Sequence, residues 1–125
     1  MTEQKTILLV EDDPLIIRMY QNKLSADGYN VETAFNGEEG LTKIRKQKPD
    51  LILLDVMMPR MNGIEVLKNL KENDDTKDIP VIFLTNLGDN EEDIEKAKDM
   101  GATDYLVKSE ISLSDLSEKV KEFIS

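Results

Sequence analysis

The chain has 125 residues, a length that suits one domain with one core and needs no covalent staple. It contains no cysteine and no histidine, which excludes disulfides, thiolate chemistry, imidazole bases and most zinc sites. Asp and Glu total 26 against 16 Lys and Arg, and the resulting net charge of −10 repels phosphate backbones and anionic lipid, so neither nucleic acid nor a membrane is an expected partner.

Most of that acidity serves solubility. No apolar run approaches the ~20 residues of a membrane span. The start, Met1-Thr2-Glu3-Gln4-Lys5, lacks the apolar region of a secretory signal. A cytoplasmic location is expected.

Strand-like and helix-like patterns alternate along the chain. The first predicted strand covers 6–11, where Ile7-Leu8-Leu9-Val10 runs into Glu11-Asp12-Asp13. Asp13 can cap the helix that follows, with Pro14 at its first position; Ile16, Tyr20 and Leu24 recur at helical spacing, and Gly28 stops it. A second strand, Asn30-Val31-Glu32-Thr33-Ala34, alternates polar and apolar residues and suits a sheet edge. Asn36 can cap a second helix bearing Leu41 and Ile44, halted before Pro49. The third strand, 50–55, runs Leu51-Ile52-Leu53-Leu54 into Asp55. Asn62 can cap a third helix with Ile64, Leu67 and Leu70 inward. The fourth strand, 80–85, runs Val81-Ile82-Phe83-Leu84 into Thr85. Asp89 or Asn90 opens a fourth helix, with Glu91 and Glu92 favourable in its first turn and a thin apolar side of Ile94, Ala97 and Met100. The fifth strand, 104–108, runs Tyr105-Leu106-Val107 into Lys108. Ser112 with Asp115 resembles a capping box, and Leu113, Leu116, Val120 and Phe123 form the last stripe.

This (βα)₅ alternation predicts an α/β fold, a doubly wound three-layer sandwich with a parallel sheet between helices. Strand order 2-1-3-4-5 places the half-polar second strand at an edge, and the switch point then falls between strands one and three. Ligands bind outside the carboxyl ends of strands at such a point. Those ends carry Glu11, Asp12 and Asp55.

Two carboxylates ~4 Å apart repel by about 4 kcal/mol at an effective dielectric of 20, and a hard dication relieves this. A single acid at a strand end is usually solvated and no more; a cluster at the switch point suggests a metal site. Asp12 and Asp55 are the expected direct ligands of Mg²⁺, with Glu11 acting through water and Asp13 occupied as the helix cap. A carboxylate can also attack a phosphoryl group, provided cations and donors meet the developing charge. Asp55 sits on the central strand, with Lys108 to supply an ammonium and Thr85 a hydroxyl. Taken alone, Lys108 is an ordinary surface lysine and Thr85 an ordinary strand residue; their joint placement singles them out. No G-x-x-x-x-G-K-[ST] or G-x-G-x-x-G motif follows the first strand. The acidic loop there would repel a flavin phosphate, which disfavours a flavodoxin despite the flavodoxin-like topology.

The segments Leu9-Val10-Glu11-Asp12-Asp13, Leu53-Leu54-Asp55-Val56-Met57-Met58-Pro59 with Asn62-Gly63, Leu84-Thr85, and Gly101-Ala102-Thr103-Asp104-Tyr105-Leu106-Val107-Lys108 together resemble the receiver domains of bacterial two-component response regulators. The likeness covers essentially the whole chain, in the style of a single-domain chemotaxis receiver. It implies that Asp55 is the phosphoacceptor, charged with Mg²⁺ by a histidine kinase or phosphotransfer protein. It implies a metal site of Glu11, Asp12, Asp55 and the main-chain carbonyl of Met57. Thr85 and Lys108 would contact the phosphoryl group, and Tyr105 would turn inward on activation. The face of the fourth helix, fifth strand and fifth helix would then meet a downstream protein. Such a protein is no conventional enzyme, but it catalyses its own Mg²⁺-dependent phosphorylation and dephosphorylation. The resemblance leaves open a monomer or a phosphorylation-dependent homodimer. No output domain follows Ser125 in this sequence, so residues 1–125 are expected to act as one receiver through protein contacts.

Four positions depart from the family's commonest form. Ser109 follows Lys108 where proline, in a cis peptide, is usual; Asn86 follows Thr85 where a small residue is usual. Met57 and Leu87 occupy the two positions that help orient hydrolytic water, and both are apolar. A long-lived phospho-form is therefore expected. The alternative within the fold is a pseudo-receiver that binds a partner without phosphorylation. A phosphatase of the haloacid-dehalogenase type would need a second acid two residues after the first, where this chain has Met57.

Overall fold

A computed structural model of the protein describes residues 4–58, 61–86 and 91–124, apart from the side chains of Glu91, Asp93 and Ile94. Its elements alternate as β1 (Thr6–Val10), α1 (Pro14–Ala26), β2 (Asn30–Ala34), α2 (Gly37–Lys46), β3 (Leu51–Asp55), α3 (Gly63–Glu72), β4 (Val81–Thr85), α4 (Glu91–Asp99), β5 (Asp104–Val107) and α5 (Leu113–Phe123). All neighbouring strands pair in parallel, in the order β2-β1-β3-β4-β5. Architecture and strand order match the sequence expectation.

The strands alternate their side chains between two cores. Leu8, Ile52, Leu54 and Phe83 pack with Leu41, Ile44, Val66, Leu67, Leu70 and Ala97 beneath α2, α3 and α4. Ile7, Leu9, Leu53 and Leu84 pack with Ile17, Tyr20, Leu24, Leu116 and Val120 beneath α1 and α5. Helices on both faces are why β1, β3 and β4 read as unbroken apolar runs. The fifth strand is different: only Leu106 of β5 is buried, because β5 forms the second edge of the sheet.

The expected caps form. Asp13, Asn36 and Asn62 accept from the amides of Leu15, Glu39 and Glu65, each at 2.9 Å. Ser112 and Asp115 make a complete capping box. Each such cap contributes ~1 kcal/mol. Gly28 follows α1 at φ +101°, a left-handed conformation that favours glycine. The proposed α4 caps Asp89 and Asn90, and the Glu91 and Ile94 side chains, lie outside the described residues.

The exact rotation of each helix refines three positions, and of these Ile16 and Ile64 are half-buried against the two cores. Ile17, rather than Ile16, is the buried residue of the first turn of α1. Steps of four residues advance about 40° beyond a full turn, so 16-20-24 drifts off the face that 17-20-24 holds. In α3, Val66 joins Leu67 and Leu70 in the core while Ile64 is half-buried. Leu113, in the first turn of α5, is exposed.

Two hydrogen bonds fasten α5 to the end of α1. The Ser117 hydroxyl donates to Asp27 Oδ2 at 2.6 Å and, with Lys23 nearby, holds the Asp27 carboxyl below its usual range. The Tyr29 hydroxyl donates to the Ile124 carbonyl at 3.0 Å.

Gly63 supports the end of β3. A Cβ there would stand 2.4 Å from the Asp55 carbonyl oxygen and 2.8 Å from the Phe83 ring. Its amide meanwhile donates to the Val56 carbonyl at 2.9 Å, so the backbone has no room to retreat. Gly63→Ala is therefore expected to lower stability by about 2 kcal/mol or more in urea unfolding. A loss below half a kcal/mol would mean that the contact relaxes freely.

Candidate functional site

The parallel register brings the carboxyl ends of β1, β3, β4 and β5 to one edge. Val10 pairs with Leu54, Asp55 with Leu84, and Thr85 with Val107. Glu11 and Lys108 stand one residue beyond their strands rather than inside them. Both are still held by ladder-like bonds: Glu11 N–H donates to Ala34 O at 3.0 Å, and Lys108 N–H to Thr85 O at 2.8 Å.

The side chains of Glu11, Asp12 and Asp55 converge, with carboxylate oxygens all within 4.8 Å of one another. Glu11 and Asp55 are buried and Asp12 is exposed. Lys108 joins them, its Nζ 2.5 Å from Glu11 Oε1 and 3.2 Å from Asp55 Oδ2. Glu11 Oε1 has no directed hydrogen bond, so the ammonium compensates it as a charge. Glu11 Oε2 accepts from the Asp13 amide at 3.0 Å, and Asp55 Oδ1 from the Met57 amide at 3.2 Å. Among the described residues, one ammonium against three carboxylates leaves the site underneutralised.

The electrostatics follow. Burial, and then the Glu11 carboxylate, push Asp55 up to about 7 against the pull of Lys108. Burial works against a charged Lys108, but Glu11 and Asp55 outweigh it and raise its pKa. The donors facing the cluster are oxygens, the ligand type of a hard dication. A second positive charge would relieve the buried carboxylates of both Asp55 and Glu11. The residues present fit Mg²⁺, and among the described residues no other group of three or more such side chains does.

Thr85 is placed differently from Lys108. Its buried hydroxyl donates to the Leu106 carbonyl at 3.3 Å, turned toward β5. Tyr105 is half-buried, and Lys98 Nζ stands 4.3 Å from its ring centroid. Val56, Phe83, Thr85, Ala97 and Tyr105 line a crevice between β4, α4 and β5. No peptide bond among the described residues is cis, so the bond from Lys108 to Ser109 is trans. Leu87 and Pro59 lie outside the described residues.

Sequence reasoning missed several supports. Gly63 appeared only as part of a motif, because its close approach to Asp55 is tertiary. The ion pair of Lys119 with Asp104, at 2.9 Å, joins α5 to β5 without a local signal. Lys98 over Tyr105 likewise depends on how α4 meets β5.

Comparison with known proteins agrees with the fold. Residues 7–121 match the model of the response regulator receiver domain. The chain is 40% identical over 121 residues to the probable transcriptional regulator ycf27 of Cyanophora paradoxa, covering 97% of this chain and 48% of that protein. It is 40% identical over 120 residues to the alkaline phosphatase synthesis transcriptional regulatory protein PhoP of Bacillus subtilis, covering 96% and 48%. The chain thus spans about half the length of these curated relatives. Among solved structures, chemotaxis protein CheY4 of Vibrio cholerae superposes with a TM-score of 0.89 at 32% identity, covering 98% of this chain and all of that one. A putative response regulator of Chloroflexus aurantiacus gives 0.89 at 34%, covering 97% and 98%. No helix among the described residues is long and apolar enough to cross a membrane. The chain belongs to the response regulator receiver domain family, whose part in two-component signalling is that of a phosphoacceptor.

Proposed function

We propose that Asp55 accepts a phosphoryl group from the phosphohistidine of a kinase or phosphotransfer protein. The observation that carries this reading is the Asp55 carboxylate itself, buried on the central strand with Lys108 at 3.2 Å and two further acids around it. An Asp55 oxygen attacks phosphorus, the N–P bond breaks, and the electron pair leaves on the donor imidazole. Asp12, Asp55 and the Met57 carbonyl would hold Mg²⁺, with Glu11 acting through water. Bound there, the ion neutralises charge on the carboxylates and on the arriving phosphoryl oxygens.

This chain's own groups do the rest. Lys108 supplies a cation to the same carboxylate. Thr85 can turn its hydroxyl from the Leu106 carbonyl to a phosphoryl oxygen, which frees an acceptor on β5 beside Tyr105. The output face is then α4, β5 and α5, linked by Lys98 over Tyr105 and by Lys119 to Asp104. A downstream protein would read that face. The proposed compartment is the cytoplasm, where an ATP-dependent kinase would charge the donor.

Labelling with a small phosphoryl donor and Mg²⁺ tests the reading. A chain that takes no adduct from that donor or from a kinase is instead a pseudo-receiver.

The lifetime of the adduct is a separate expectation. Met57 carries no group that can orient a water against an acyl phosphate. Autodephosphorylation is therefore expected to have a half-life of minutes or longer, read by loss of the adduct in mass spectra after donor removal. A half-life of seconds would show that other groups place the water.

A further inference from the structure

We propose that Met57 is a peroxide-sensitive modification site, and that its sulfoxide resets the acidic site beside it. The inference rests on the metal-binding part of the reading above. With six methionines and no cysteine, thioethers are the only sulfur in this chain that an oxidant can reach. Exposure selects among them, and Met57 is 55% exposed where its neighbour Met58 is 8% exposed. The contrast is built into the loop. Met58 packs into the core under α2 and α3 and pins the chain just past β3, which leaves Met57 on the solvent side. At the same time the Met57 amide donates to Asp55 Oδ1 at 3.2 Å, so this exposed thioether is tied by its own backbone to the buried carboxylate.

The chemistry balances with hydrogen peroxide as oxidant. A sulfur lone pair attacks one peroxide oxygen, the O–O bond breaks, and water leaves after proton transfer. Sulfur is oxidised by two electrons to the sulfoxide, and peroxide is reduced to water. An exposed apolar side chain, on a residue whose amide is bonded to Asp55, becomes a polar one bearing a hard oxygen acceptor. That oxygen can bind a dication, or accept a hydrogen bond from a water on it, in a site whose other donors are already oxygens. Oxidation of Met57 should therefore tighten Mg²⁺ binding and give hydrolytic water a partner that the thioether cannot offer. Enzymatic reduction of the sulfoxide would restore the starting state.

The test uses the whole chain, treated with dilute hydrogen peroxide. Each methionine is followed by peptide mass mapping, and Mg²⁺ affinity is measured by calorimetry with no phosphoryl donor present. Wild type and Met57→Leu are each compared with themselves before and after oxidation. Met57 is expected to gain oxygen several-fold faster than Met58, Met61 and Met100. Mg²⁺ affinity should then rise several-fold in wild type, stay unchanged in Met57→Leu, and return after methionine sulfoxide reductase treatment. Met19 is also exposed and remains in the variant, so oxidation there is controlled. The proposal is overturned if Met57 reacts no faster than the buried methionines, or if fully oxidised wild type binds Mg²⁺ as before. Because no phosphoryl group is involved, failure of Asp55 to accept one would leave this readout intact.

Discussion

Incubated with acetyl phosphate and Mg²⁺, the wild-type chain is expected to gain about 80 Da, the mass of one phosphoryl group. Asp55→Ala is expected to gain nothing under the same conditions. The effect is all-or-none because Asp55 combines properties that no other acid among the described residues shares. Glu11 is buried too, but one oxygen faces Lys108 and the other accepts from the Asp13 amide. Asp12 is exposed and stands outside the reach of Lys108 contacts described for Glu11 and Asp55. Omission of Mg²⁺, or its removal with chelator, should suppress labelling, since Lys108 alone leaves Asp55 underneutralised. An adduct that persists in Asp55→Ala on another residue would reject Asp55 as the acceptor.

The second large effect is on stability against pH. Asp55 has an ordinary pKa of 3.8 and stands at about 7 in the folded chain, raised by burial and by Glu11. A raised folded pKa means that the native state binds the extra proton. The contribution is fully present below 3.8 and is lost as pH rises through about 7. By linkage, ionising Asp55 costs the metal-free fold at most about 4 kcal/mol above neutral pH. Asp55→Asn keeps the shape and removes that charge. It should stabilise the metal-free protein by about 2 to 4 kcal/mol at about pH 8, or roughly 10 °C in Tm, and by far less at about pH 5.

Two other shifted carboxyls titrate below this range. Asp27, held low by Ser117, adds stability above its ordinary range and loses it as pH falls. Asp104 behaves alike, its burial outweighed by Lys119. Both are common to wild type and Asp55→Asn, and they cancel in the difference. A stability gap that stays flat from about pH 5 to about pH 8 would sink the assignment of a strained Asp55. Saturating Mg²⁺ should raise the Tm of wild type most at the alkaline end, where the carboxylates are ionised and the extra positive charge relieves them.

Much of the fold could be read along the chain because its signals are local. Caps at Asp13, Asn36, Asn62 and Ser112 depend on residues two or three positions away. Strand identity came from apolar runs, and the edge position of β2 from its alternation. The degree of burial was less legible, because it depends on a helix's exact rotation. Ile16 and Ile64 pack against the cores only in part, while Ile17 and Val66 are fully inside them, and Leu113 is exposed. The site was legible because parallel strands bring their carboxyl ends to one edge whatever the details. The partners within that site were not. Nothing local says that Lys108 contacts Glu11 as well as Asp55, or that the Thr85 hydroxyl faces Leu106.

By itself, the sequence determined the alternating elements, the strand order and the set of groups at the sheet edge. These follow from period, capping chemistry and the geometry of parallel sheets. Only the tertiary structure decided how those groups divide the charge. Burial takes Asp55 and Glu11 out of water while leaving Asp12 in it, and a lysine from the far side of the sheet is, among the described residues, the one cation paired with them. Desolvation depends on everything packed around a carboxylate, including the glycine at position 63 that lets α3 close on β3. That sum is long-range, and it is what sets Asp55 apart from Asp12 at the same sheet edge.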